Sequence, residues 1–259
     1  MNDDPSAASP QYLDIPDAVR IAYHRSEGKG PCLVFLPGFR SDMTGSKALA
    51  LEALAKSRGQ AFLRFDYTGH GASSGAFTDG SIGDWSRDAI GAIEALTDGP
   101  LVLVGSSMGG WIMLLVARAL ASRIAGLVGI AAAPDFTEAL MWKNMAPAQR
   151  AELEDKGVIY QPSDYDPEPT PITMKMIEDG RKHLVLDRAI ALDCPVRLIH
   201  GQRDPDVPWA WSQRIADALT SEDVEVTFVK AGDHRLSQPP DLRRLVLVVD
   251  ALLDQIEGV

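Results

Sequence analysis

Apolar residues along this chain follow two alternating spacings. Short unbroken apolar runs at Cys32–Leu36, Ala61–Phe65, Leu101–Val104, Ile124–Ala131, Val196–His200 and Val224–Val229 have the length of strands. A run such as Cys-Leu-Val-Phe-Leu reads as a strand buried on both faces. Between the runs lie stretches with helical spacing: Ser46–Lys56, Asp84–Leu96 (apolar at Trp85, Ala89, Ile93 and Leu96), Trp111–Leu120, Trp209–Leu219 and Asp241–Ile256. Two short strands come first, Gln11–Ile15 and Arg20–His24, joined antiparallel at Pro16-Asp17. A turn at Gly28-Lys29-Gly30 then leads into the first buried run. Strands alternating with helices predict an α/β fold, a mostly parallel central sheet with helices on both faces.

One stretch breaks the alternation. Residues 135–190 hold Met141, Trp142, Met145, Met174 and Met176, a proline cluster from Pro162 to Pro171, and two or three short helical patterns without strands. This predicts a helical cap inserted into a core built from residues 11–134 and 191–259. Residues 1–10, acidic and lacking an apolar centre, are expected to be disordered.

At 259 residues the chain suits one large domain with such an insertion. Its net charge of −11 disfavours nucleic acid and anionic membrane surfaces as partners. Two cysteines, Cys32 and Cys194, do not make a disulfide framework and are expected to be reduced, buried and inert. The start, Met-Asn-Asp-Asp-Pro-Ser, has the pattern of neither a secretory signal nor an Arg-rich transit peptide. No stretch reaches the ~20 apolar residues of a spanning helix. A soluble, cytoplasmic protein is the resulting expectation.

The candidate chemistry sits where the run at Leu101–Val104 meets the helical pattern at Trp111. Gly105-Ser106-Ser107-Met108-Gly109 lies between them, a serine at the apex of a strand-turn-helix. A strand that turns into a helix within a few residues packs backbone against backbone, which requires glycine at 105 and 109. The turn would hold Ser107 in an uncommon backbone conformation at a helix N-terminus, where free N–H groups favour developing negative charge. Gly71-Ala72-Ser73-Ser74-Gly75 fits the same spacing, but loop residues follow it and no helix begins there. Ser107 is therefore the candidate nucleophile.

An acyl-transfer serine needs a base, an acid to orient that base, and donors for the oxyanion; in this architecture the chain order is Ser, Asp or Glu, then His. His234 lies directly after the run at Val224–Val229, in the loop before the last helix, and is the preferred base. His200 ends an apolar run and is the second choice, read first as a satisfied buried histidine; His70 is read as fixing its own loop. Asp204 and Asp206 both follow the run at Val196–His200, and Asp204 is preferred. Asp206 is assigned instead to the start of the helix at Trp209, Asp233 to shaping the His234 loop, and Asp66 to tying the loop it begins. The oxyanion donors expected are the backbone N–H groups of Met108 and Phe39, with Gly38 letting the latter approach closely. Met141, Trp142 and Met145 are candidate walls of an apolar substrate pocket, or packing between cap and core. Arg40 is a candidate partner for a substrate carboxylate, or a solvated surface arginine.

Five segments then combine: Pro37-Gly38-Phe39 after a strand, Arg64-Phe65-Asp66-Tyr67-Thr68-Gly69-His70-Gly71, Gly105-Ser106-Ser107-Met108-Gly109-Gly110-Trp111, His200-Gly201-x-x-Asp204-x-x-Val207-Pro208, and Gly232-Asp233-His234. Together they resemble the α/β-hydrolase superfamily, over essentially the whole chain from residue 11. Lys47-Ala48-Leu49-Ala50, Cys194 to Gly201 and Asp233-His234-Arg235 more narrowly resemble the mitochondrial acyl-glucuronide esterase and palmitoyl-protein thioesterase subfamily. That resemblance implies Ser107, Asp204 and His234 as the triad and a small-molecule acyl ester or thioester as substrate. The expected chemistry needs no cofactor and no metal. A peptidase or C–C bond hydrolase with the same triad, and a binding protein without turnover, are the alternatives. Dehalogenase and epoxide-hydrolase chemistry needs an aspartate where Ser107 stands.

Overall fold

A computed structural model describes residues 9–15, 20–163 and 167–258. The Pro16-Asp17 turn and residues 1–8 of the expected disordered start lie outside the described residues. In chain order the elements are β1 (Gln11–Asp14), β2 (Arg20–Ser26), β3 (Lys29–Leu36), α1 (Ser46–Arg58), β4 (Gln60–Phe65), α2 (Ile82–Leu96), β5 (Leu101–Ser106), α3 (Met108–Ala119) and β6 (Ile124–Ile130). Then come α4 (Pro147–Lys156), β7 (Val158–Gln161), β8 (Thr170–Thr173), α5 (Met174–Gly180), β9 (Val196–Gly201), α6 (Ala210–Ala218), β10 (Val224–Val229) and α7 (Pro239–Glu257). Eight strands form one sheet in the order β1-β2-β4-β3-β5-β6-β9-β10. Pairing is parallel from β4 to β10, and β1 and β2 add antiparallel at one edge.

The strand period of two decides which face each residue feeds. In β5, Leu101 and Leu103 join the cluster that holds Trp85, Ile93, Trp111, Ile112 and Ile215, so α2, α3 and α6 cover that face. Val102 and Val104 join Leu51, Leu54, Leu245, Val249 and Leu252, so α1 and α7 cover the other. All six residues of β5 are buried, and each large aliphatic side chain removed from water contributes about 1.5–3 kcal/mol. The doubly covered sheet thus follows from unbroken apolar runs: no strand between β3 and β9 has a polar face to turn to solvent.

Several boundaries differ from the sequence expectation. β3 begins at Lys29, inside the expected turn, because Lys29 N–H donates to Gly59 O at 2.8 Å. A register shift between Lys29 and Leu33 takes up the irregularity. α3 begins at Met108 and not at Trp111; Gly109 and Gly110, which read as turn, are its first turn. α2 begins at Ile82, capped by Ser81 accepting from Asp84 N–H.

Between β6 and β9 the chain leaves the sheet. This excursion contains α4 and α5, but also β7 and β8 paired antiparallel, with Val158 opposite Thr173 and Gln161 opposite Thr170. The strand-free expectation for residues 135–190 is therefore corrected. Its prolines concealed a hairpin that tolerates them because each of its strands has only one neighbour. The neck of the excursion is closed by Asp135, whose carboxylate accepts from Val185 N–H at 2.9 Å and Leu186 N–H at 3.0 Å. Two indoles tie it down: Trp111 Nε1 donates to His183 O and Trp211 Nε1 to Pro134 O, each at 3.0 Å. No helix among the described residues is long and apolar enough to cross a membrane.

Candidate active site

The carboxyl ends of β3, β4, β5 and β9 meet at one rim of the sheet, where open α/β sheets place their ligands. Ser107 stands between β5 and α3 with φ 54° and ψ −117°, a left-handed conformation that costs a non-glycine residue about 1–3 kcal/mol. The sharp bend survives because its neighbours lack side chains. A Cβ on Gly105 would lie 2.6 Å from the Gly109 carbonyl carbon, and one on Gly109 would overlap the Leu36 carbonyl, whose carbon is 2.7 Å away. The bend directs Ser107 away from the core, and its hydroxyl meets the ring of a residue 127 positions later.

Ser107 Oγ donates to His234 Nε2 at 3.0 Å, and His234 Nδ1 donates to Asp204 Oδ2 at 2.8 Å. His234 follows β10 on a loop shaped by Asp233, whose carboxylate accepts Leu236 N–H at 2.9 Å. Asp204 follows β9, and its side chain is fully buried. Its Oδ1 accepts the N–H groups of Asp206 and Val207, both at 2.8 Å. Burial alone would raise the Asp204 carboxyl, but hydrogen bonds from His200 and His234, the His234 charge and the Val207 N–H outweigh it and hold the group well below its usual range.

The expected oxyanion donors border the same point. Met108 is the first residue of α3, so its N–H is among those with no acceptor inside the helix. Phe39 follows Gly38, whose Cβ position lies 3.3 Å from Ser106 O and 3.5 Å from Ser107 Cβ; the loop after β3 therefore runs directly beside the bend. The Phe39 ring packs edge-on against Phe77, Trp85 and Phe136.

Two clefts converge on Ser107. One, about 480 Å³, has apolar walls of Phe39, Phe136, Leu140, Met141, Ile172 and Val207 beside polar Asn144, Gln161, Ser163, Thr170 and Asp206. The other, about 290 Å³, is lined mostly by polar and charged residues, Arg40, Ser41, Asp42, Lys47, Arg235 and Ser237 among them, with the rings of Phe35 and Phe39. Of the expected pocket residues, Met141 lines the larger cleft, whereas Trp142 and Met145 do not. A π-helical turn over Thr137–Met141 passes into a 3₁₀ turn at Trp142–Asn144; Met145 N–H still donates to Met141 O at 3.1 Å, but Met145 itself has turned to extended backbone (φ −64°, ψ 137°). Met145 is buried in the core, and Trp142 instead carries the guanidinium groups of Arg150 and Arg181 on its ring. Arg40 borders the smaller cleft but reaches the excursion, donating to Pro169 O at 3.1 Å and Thr170 Oγ1 at 3.3 Å. Phe136, Leu140 and Ile172 were missed from sequence; their nearness to the clefts depends on how the excursion folds back.

The remaining candidates are structural. Ser73 Oγ donates to Asp66 O and accepts Ala22 N–H, so the second Gly-x-Ser-x-Gly match is a tie between loop and sheet. The Asp66 carboxylate accepts Met43 and Ala72 N–H, as its loop role requires. His70 donates from Nδ1 to Thr68 O inside a ring of Tyr67, Phe77 and Trp85. Asp206 does not cap the following helix: α6 has Trp209 at its N-cap and no side-chain cap. Both cysteines are free thiols; Cys32 is buried and pushed up to about 12, while Cys194 is half-buried, not fully so, and pushed up to about 11 by burial. Ligand atoms of Asp204, Asp206 and His234 lie within 4.8 Å of one another. Both His234 nitrogens and both Asp204 oxygens are already engaged, so that grouping is spent on hydrogen bonds.

Residues 33–245 match the alpha/beta hydrolase family, and the chain belongs to it. It is a hydrolase. Its relatives narrow the comparison. The human palmitoyl-protein thioesterase ABHD10, mitochondrial, is 39% identical over 249 residues, covering 96% of this chain and 81% of that protein. The Bos taurus counterpart is 40% identical over 250 residues, with the same coverage. Among solved structures, mouse alpha/beta hydrolase domain-containing protein 10 superposes with a TM-score of 0.89 at 38% identity, covering 96% of this chain and all of that one. These relatives overturn the expectation of a cytoplasmic protein: the curated ones carry mitochondrial names, and the acidic first residues do not outweigh that.

Proposed function

We propose that the chain hydrolyses carboxylic esters or thioesters through an acyl-enzyme on Ser107. The observation that carries this reading is the unbroken relay from Ser107 Oγ through both His234 nitrogens to Asp204. Ser107 Oγ attacks the acyl carbon as its proton passes to His234 Nε2. Asp204 keeps the ring in the Nδ1–H tautomer and stabilises the imidazolium that forms. The oxyanion is received by the N–H groups of Met108 and Phe39, worth about 10²–10³ in rate for each donor. His234 returns the proton to the leaving oxygen or sulfur, and water, deprotonated by the same nitrogen, releases the acid.

The larger cleft takes the acyl chain and the smaller cleft the departing alcohol or thiol, with residues 135–190 as a cap over both. Thioester cleavage is supported by the relatives' names, which describe palmitoyl-protein thioesterases. The test is hydrolysis of nitrophenyl esters and acyl thioesters of graded chain length by wild type and Ser107→Ala. We expect turnover that rises with acyl length until the larger cleft is filled, and a loss of about 10⁶ in kcat for the variant, as in another serine hydrolase. Near-wild-type turnover by Ser107→Ala would remove the nucleophile. Cleavage of peptide amides with esters left intact would favour the peptidase alternative.

A further inference from the structure

His200 has no part in the relay just described, yet it touches the relay's far end. It is the penultimate residue of β9, fully buried, and its Nε2 lies 3.3 Å from Asp204 Oδ2 and 3.0 Å from Val207 O. A carbonyl oxygen only accepts, so Nε2 carries the proton and shares it between these two oxygens. Nδ1 lies 2.7 Å from Ser212 Oγ, on α6, which is also buried. The ring is thus held from both sides, by the sheet at its backbone and by a helix at its outer nitrogen.

The consequence for Asp204 is geometric. A carboxylate has about four lone-pair sites, and here all are filled: two backbone N–H groups on Oδ1, the rings of His234 and His200 on Oδ2. The terminal torsion of an aspartate is soft, so its orientation comes from these partners. Three of the four donors belong to loops, and His200 alone projects from the central sheet. It also acts through Val207, whose N–H donates to Asp204 while its C=O accepts from His200. Loop, carboxylate and buried ring therefore form one closed circuit.

We propose that His200, braced by Ser212, is a positioning residue for the hydrolysis: it holds Asp204 in the orientation that receives the His234 ring while His234 gains and loses its proton. The inference rests on the triad reading above. His200 borders neither cleft at Ser107, so its influence falls on kcat and leaves KM unchanged.

The experiment is a double-mutant cycle on a nitrophenyl ester, with folding of each variant checked by circular dichroism. His200→Leu removes donor and acceptor together, and kcat should fall about 10–100-fold at constant KM, the scale on which residues that orient metal-bound histidines act. His200→Gln, whose amide supplies an N–H and an oxygen, should recover most of the loss. In an Asp204→Ala background the His200→Leu change should cost nothing further, because the carboxylate it orients is gone. Ser212→Ala, a milder change that serves if His200→Leu does not fold, should lose a few-fold in kcat and likewise become silent without Asp204. Unchanged kcat in folded His200→Leu or Ser212→Ala, or losses that multiply with that of Asp204→Ala, would overturn the inference alone. Full kcat in Asp204→Ala by itself would overturn the triad reading and this inference with it.

Discussion

Replacing Asp204 by Asn is the sharpest perturbation, because it exchanges one carboxylate oxygen for an NH₂ and changes little shape. The carboxylate faces two pairs of donors: the N–H groups of Asp206 and Val207 on Oδ1, the ring N–H groups of His234 and His200 on Oδ2. An amide offers one acceptor oxygen and one NH₂, so one pair must meet a donor. The backbone pair cannot change its chemistry, whereas His234 can switch tautomer; the amide oxygen will therefore face the backbone. The NH₂ then faces His234 Nδ1, which becomes the acceptor, and Nε2 carries the proton and can no longer take one from Ser107. Restoring the productive tautomer sets an N–H against an NH₂. Leaving two buried donors unpaired costs about 2–6 kcal/mol, and the lost charge-assisted bond to the imidazolium adds about 1.5–3 kcal/mol. Together these amount to about 3.5–9 kcal/mol, or about 3 × 10² to 3 × 10⁶ in kcat, a range that contains the roughly 10⁴ loss seen when the equivalent acid of another serine hydrolase is made Asn. The assay is kcat and KM on a nitrophenyl ester at neutral pH. Asp206→Asn serves as the neighbouring control and should stay within about five-fold. A loss below ten-fold in Asp204→Asn, or equal losses in the two variants, would refute the reasoning.

Two further outcomes follow from the fold. Gly109→Ala drives a Cβ into the Leu36 carbonyl between β3 and α3; we expect a loss of more than about 3 kcal/mol in urea unfolding, and a loss under 1 kcal/mol would mean the bend relaxes freely. Burial holds the His70 ring down to about 4, against only a partial opposing effect of the Thr68 carbonyl. Between pH 6.5 and about 4 the folded ring therefore binds fewer protons than the unfolded chain, and stability falls as pH is lowered through that interval by about 3 kcal/mol. His70→Phe should keep the aromatic packing and remove that part of the difference between unfolding free energies at pH 7 and pH 4; an equal pH dependence in both proteins would contradict it.

The alternation of apolar runs and helical spacings was enough to specify a doubly covered parallel sheet. Burial on both faces leaves no polar alternation, and only helices on each side can supply that. Ser107 was legible because its bend demands glycines at fixed offsets, a local requirement written within five residues. His234 and Asp204 were legible through their places after particular strands, since the ends of parallel strands share one rim. Which cap residues reach the clefts, and that His200 touches Asp204, were decided only by the tertiary structure. Met141, Trp142 and Met145 were separated by short π and 3₁₀ turns that end in extended backbone at Met145, which no apolar spacing records. The partnership of His200 with Asp204 and Ser212 joins a strand, a turn and a helix, and contacts of that kind exist only once all three have packed.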